Sequence, residues 1–155
     1  MTDHPHALRI SKVIAATPAQ IWAAWSSPET MARWFAPEPV RTEVLKFEFR
    51  PGGAFHLKLT GPDGTVYSDE EGCFLDIVPL RQIVFTDALS GGYRPTGGGF
   101  MTAIIRLEPA EGGGTRYTAE VLHKDEADMR RHAEMGFESG WGTVIDQLDR
   151  VAREG

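Results

Sequence analysis

Apolar residues alternate through LRISKVIAA at 8–16, with Leu8, Ile10, Val13 and Ile14 supplying the apolar side, and this predicts a strand. Thr17-Pro18 follows, a hydroxyl that can cap and a proline suited to the first helical position. TPAQIWAAW therefore predicts a short helix with Ile21, Trp22 and Trp25 on one face. Ser27-Pro28 repeats the start signal, Met31, Trp34 and Phe35 repeat the spacing, and Pro37 and Pro39 end a second short helix. Beyond it the period falls to two. Turn chemistry recurs as RPGG, GPDG, VPLR and EGGG, and the runs between predict strands at about 40–49, 54–60, 65–77, 82–88, 100–108 and 115–123. With the first strand they make a seven-stranded antiparallel sheet, large enough to curl.

From Asp125 to Glu154 the period changes again. Met129, Ala133, Phe137, Trp141, Val144 or Ile145, Leu148 and Val151 recur at steps of three and four, predicting one long helix with a continuous apolar stripe. Only the sheet remains to bury that stripe, so the expected fold is α+β, one domain over 1–155 with an ordered core at about 8–153. Inside this helix stand Gly136, Gly140 and Gly142, each costing about 1 kcal/mol of helix propensity relative to alanine. Gly136 and Gly140, four apart, share a helical face beside Phe137 and Trp141. The missing side chains fit either a close approach of helix to sheet or a cavity roofed by backbone. Gly142 lies off that face.

The composition narrows the function. The 155 residues carry a net charge of -6, and the sixteen Lys and Arg are scattered rather than gathered into a stripe that could neutralise phosphates, so nucleic acid is not an expected partner. Cys73 is the single cysteine, which excludes an intramolecular disulfide and a cysteine metal cluster and fits a reducing interior. The start lacks a signal-peptide pattern and no apolar run reaches membrane-spanning length, so membrane insertion is not expected and a cytoplasmic location is. His4 and His6 could capture a metal, although a polar terminal tail explains them as well. SGGYRPTGGG at 90–99 has the glycines of a phosphate-binding loop, but it opens a strand where such a loop must open a helix. A loop beside a pocket mouth and a plain solvent loop both remain open.

Four stretches carry a family likeness: ATPAQIWAAWSSPETMARWFAP, RPGGAFHLKL, GCFLDIVPLRQIVFT and SGWGTVIDQLDRVA. Together with the element order they resemble the START-like superfamily, also called SRPBCC, from about Leu8 to Ala152, and within it the branch of the C-terminal domain of the activator of heat-shock protein 90 ATPase. The resemblance implies the helix-grip fold, a curved seven-stranded antiparallel sheet wrapped around a long C-terminal helix, with two short helices after the first strand. It also implies that the space between helix and sheet holds an apolar ligand, which favours the cavity reading of Gly136 and Gly140. In the eukaryotic co-chaperone it implies a further N-terminal domain carrying much of the chaperone binding, for which 155 residues leave no room.

If the sheet wraps the helix, alternation selects the inner face: Phe55, Leu57 and Leu59; Tyr67, Leu75 and Ile77; Ile83 and Phe85; Met101, Ala103, Ile105 and Leu107; Tyr117, Ala119 and Val121. The same phase turns Glu71, Asp87 and His123 inward, where each needs a partner or a ligand, and leaves His56 outward; a bulge at Gly72 would instead turn Glu71 outward, and water could reach Asp87 and His123 at their strand ends. The expected function is binding of a small, mainly apolar molecule by Trp34, Tyr67, Phe85, Met101, Gly136, Phe137, Gly140 and Trp141, oriented by Glu71, Asp87 or His123. One alternative is a co-chaperone-like interaction module that contacts a chaperone. Another is a cyclase- or hydrolase-type enzyme using Glu71, Asp87 and His123 as acid and base. No catalytic triad, metal spacing or cofactor fingerprint is present, so no catalytic residue, metal or cofactor is expected, and a homodimer stays open.

Overall fold

The computed structural model describes residues 5–155. Thr17 starts the first helix as its chemistry suggests: its hydroxyl accepts the Gln20 N–H at 3.1 Å while the Gln20 side chain accepts the Thr17 N–H at 2.9 Å. That reciprocal pair satisfies two amides that would otherwise lack partners. The strand β1 (Ala7–Ile14) therefore runs into α1 (Pro18–Ser26), and Ser27 caps α2 (Pro28–Met31) through the Thr30 N–H. Four strands follow, β2 (Arg41–Phe47), β3 (Ala54–Thr60), β4 (Val66–Val78) and β5 (Gln82–Thr86). A small ribbon of β6 (Leu89–Ser90) and β7 (Arg94–Pro95) precedes β8 (Thr102–Pro109) and β9 (Thr115–Leu122), and α3 (Glu126–Glu134) and α4 (Phe137–Glu154) end the chain.

Seven of the strands form one antiparallel sheet in the order β1-β9-β8-β5-β4-β3-β2, the helix-grip architecture. Phe137, Ile145, Leu148, Val151 and Ala152 of α4 share a core with Phe55, Leu57, Ile83, Phe85, Ala103, Ile105, Leu107, Tyr117, Ala119 and Val121 of the sheet. Trp25 of α1, Met31 of α2 and Trp34 in the turn after it complete the core. Cys73 is buried and makes no disulfide. Among the described residues no helix is long and apolar enough to cross a membrane.

Two expectations are corrected. Phe74 pairs with Phe85 and Ile77 with Ile83, so both point inward although they are an odd number of residues apart; a register shift between Phe74 and Asp76 absorbs the extra residue. The alternation counted from Leu75 and Ile77 is therefore inverted before the bulge. Phe55 faces Gly72 and His56 faces Glu71 across β3 and β4, so Glu71 stands on the outer face and Tyr67 is 60% exposed. Gly72 itself is required, because a Cβ there would lie 2.6 Å from the Thr86 carbonyl oxygen.

The C-terminal segment is two helices rather than one. Gly136 has φ +93°, a left-handed conformation that ends α3 and precedes α4. Glycine adopts it without the steric cost that a Cβ brings. Because the chain turns here, α3 buries Asp128 and His132 and leaves Ala133 exposed. The 90–99 segment also carries more structure than a plain loop: besides β6 and β7, Gly91 N–H donates to Glu71 at 2.9 Å and Gly92 N–H to the Gly52 carbonyl at 2.8 Å.

Candidate functional site

A cavity of about 300 Å³ opens between the first half of α4 and the sheet. Aromatic rings form much of its wall: Trp25 from α1, Trp34 and Phe35 after α2, Phe85 from β5, and Phe137 and Trp141 from α4. Phe35 meets Trp25 and Phe55 edge-on and tilts against Phe85, so these rings brace one another. Leu59, Met101, Val144, Ile145, Ala36 and Pro37 add aliphatic surface, and Met135, 70% exposed, stands at the rim. A Cβ built on Gly140 would meet nothing within 4 Å, nor would one on Gly136, so neither glycine marks a close approach of helix to sheet. Both border the cavity instead. Gly142, off that face, would bring a Cβ to an ordinary 3.6 Å from Ile10.

Among the described residues no Lys, Arg, Asp or Glu lines the cavity, and the indole and imidazole groups of its wall are tied into the protein. Trp34 N–H donates to the Ala24 carbonyl at 3.2 Å and Trp25 N–H to the Tyr117 hydroxyl at 3.1 Å. Trp141 N–H donates to Nε2 of His132 at 3.2 Å, which dictates the tautomer beyond it. With Nε2 accepting, the His132 hydrogen sits on Nδ1 and is donated to His123 Nε2 at 2.8 Å; His123 Nδ1 then donates to the His6 carbonyl at 2.9 Å. Burial, followed by the coulombic effect of His123, pushes the His132 pKa down to about 4, so the His132 ring is neutral at neutral pH.

The backbone beside the cavity is held by Gln147 of α4. Its amide N–H groups donate to the Trp34 and Ala36 carbonyls at 3.1 and 2.8 Å, and its carbonyl accepts the Glu38 N–H at 2.9 Å. The side chain is 4% exposed and fully used, and it fixes the segment that presents Trp34 and Phe35.

Of the residues expected from sequence, Trp34, Phe85, Met101, Gly136, Phe137, Gly140 and Trp141 line the cavity. Tyr67, Glu71, Asp87 and His123 do not. Tyr67 and Glu71 lie outside because of the β4 bulge, and Glu71 pairs with Lys46 at 2.9 Å. The Lys46 hydrogen bond, followed by that from the Gly91 N–H, holds the Glu71 carboxyl below the usual carboxylate range. Asp87 accepts the Phe100 and Met101 N–H groups at 2.7 and 3.1 Å, closing the base of the 88–99 excursion. His123 is one ring removed from the wall. The acid–base set of Glu71, Asp87 and His123 is therefore not assembled around a shared space.

Among the described residues no group of three or more His, Cys, Asp or Glu could hold a metal, and His4 lies outside them. His132 was invisible to helical periodicity. In one continuous helix it would sit nine positions, or two and a half turns, from Trp141 and face the opposite way. The signal that could have found it is Gly136 read as a helix stop.

Comparison with known proteins agrees with this architecture. A protein from Nitrosomonas europaea is 34% identical over 96% of this chain and 94% of its own, with a TM-score of 0.90. One from Arthrobacter aurescens is 30% identical, covering 99% of this chain and 91% of its own, with a TM-score of 0.81. The AHSA1 protein of Silicibacter pomeroyi, at 21% identity over 96% of this chain and 99% of its own, shares the fold with a TM-score of 0.72. A search of curated proteins finds no match. Residues 15–153 match the family described as activator of Hsp90 ATPase homolog 1-like protein, and the chain belongs to that family.

Proposed function

We propose that this protein binds a small, uncharged, mainly apolar molecule in the cavity between α4 and the sheet. The supporting observation is the cavity itself, about 300 Å³ with no Lys, Arg, Asp or Glu among the described residues of its wall and a backbone roof at Gly140. Its volume is at the lower end of the range for ligand sites. At interior packing density it suits roughly a dozen non-hydrogen atoms. A carboxylate or ammonium would lose its hydration there without gaining a counter-ion. Family membership is compatible with an apolar-ligand binder or a co-chaperone-like module in general, and the cavity favours the first.

Isopropylnaphthalene, an uncharged hydrocarbon of suitable size, tests the reading by calorimetric titration. The expected result is saturable binding at one site, removed by Gly140→Phe, whose ring would project from the helix into the space, and weakened by the smaller Gly140→Leu. Absence of binding to the wild-type protein, or binding indifferent to both substitutions, would overturn it.

A further inference from the structure

Tyr117 on β9 is 3% exposed and lines the cavity. Its hydroxyl oxygen accepts the Trp25 N–H, an indole that can only donate. The hydroxyl hydrogen must then find an acceptor elsewhere, and among the described residues it makes no hydrogen bond. Every other polar side-chain hydrogen of the wall is committed: Trp34 to Ala24, Trp141 to His132, and His132 to His123. One donor remains, on a ring that otherwise belongs to the apolar core. Burial raises its pKa well above that of an ordinary phenol, so it keeps its proton and acts as a donor.

We propose that the ligand carries a hydrogen-bond acceptor, a carbonyl or ether oxygen, at its buried end, and that the Tyr117 hydroxyl donates to it. This rests on the cavity being a ligand site and adds the chemistry that selects the occupant. Once an occupant fills the cavity, a donor left unmade in its apolar wall costs free energy that an acceptor on the occupant recovers, so the site discriminates between molecules of equal shape. The Trp25 N–H strengthens the effect, since accepting a hydrogen bond makes the same hydroxyl a better donor.

The test compares methyl naphthyl ketone with isopropylnaphthalene, which matches its shape but lacks the oxygen. Wild-type protein should bind the ketone roughly tenfold more tightly, the worth of one hydrogen bond made in an apolar site. Tyr117→Phe should abolish that preference while still binding the hydrocarbon, and Trp25→Phe, which leaves the hydroxyl in place, should retain a preference for the ketone. Should Tyr117→Phe fail to fold, the infrared carbonyl stretch of the ketone bound to wild type decides, because donation lowers its frequency below that in a dry hydrocarbon. Equal affinities in wild type, a preference surviving in Tyr117→Phe, or an unshifted carbonyl stretch would each overturn the assignment and leave the receptor reading standing. Failure of both probes to bind would overturn the receptor reading and this inference with it.

Discussion

Alanine substitution at Gly136 and at Gly140 separates the two reasons for glycine in MGFESGWG. Both positions are open to a Cβ, which would meet nothing within 4 Å at either. Space therefore cancels from the comparison and backbone conformation remains. Gly140 lies inside α4, where alanine improves helix propensity and stabilises by about 0.5–1 kcal/mol. Gly136 sits at φ +93°, where a Cβ costs about 1–2 kcal/mol. The two variants should thus differ by about 1.5–3 kcal/mol, with opposite signs relative to wild type. For a chain of this length each kcal/mol moves the melting temperature by about 2–4 °C, so calorimetry and urea denaturation followed by circular dichroism both resolve the difference. A Gly140→Ala variant as destabilised as Gly136→Ala would show the space beside Gly140 to be filled, removing the roof from the proposed site.

Two further outcomes test the frame around the cavity. Gln147→Leu removes three hydrogen bonds and orphans the carbonyls of Trp34 and Ala36, so stability should fall by about 3 kcal/mol in urea denaturation, and affinity for the hydrocarbon probe with it; an unchanged midpoint would refute the clamp. His132 has a native pKa of about 4, below the ordinary 6.5, so between these values the unfolded chain takes up a proton that the native state does not. This group's contribution to stability is whole above pH 6.5 and declines as the pH falls toward 4, by at most about 1.4 kcal/mol per pH unit. His132→Gln should flatten that interval relative to wild type, and parallel stability profiles would contradict the assignment.

The elements were legible because local chemistry and long-range packing agree on them. Thr17-Pro18 and Ser27-Pro28 are start signals that the caps fulfil, and the Ile145, Leu148 and Val151 stripe is buried as its spacing demands. Legibility failed where one residue changes the phase of everything beyond it. The bulge near Leu75 inverts the faces of β4; Gly72 makes a bulge conceivable, but the polar run before it offers no apolar alternation to show that one is there or where it falls. Gly136 does the same for the C-terminal segment. Its left-handed backbone turns His132 toward Trp141, whereas uninterrupted periodicity turns the pair apart. Tyr117 failed differently: alternation placed it inward correctly, but only its pairing with Trp25 reveals that a polar hydrogen comes with the ring.

These features bear on why the cavity stays open. Apolar walls that closed on each other would gain burial and dispersion energy, so a cavity of about 300 Å³ persists against the tendency of the core to collapse. A wall free to relax would close over such a space. Here the Trp34 to Glu38 segment is tied to α4 by Gln147, Trp141 is tied through His132 and His123 to the backbone of His6, and Trp25 is tied to Tyr117. Each tie is a hydrogen bond that collapse would have to break, and a polar group left unpaired in so apolar a wall is costly. An occupant reverses the balance, because it restores dispersion contacts along the aromatic wall while leaving every tie intact. Ligand binding should consequently raise the unfolding temperature without reshaping the sheet, as mass action requires of any molecule that binds the folded state alone.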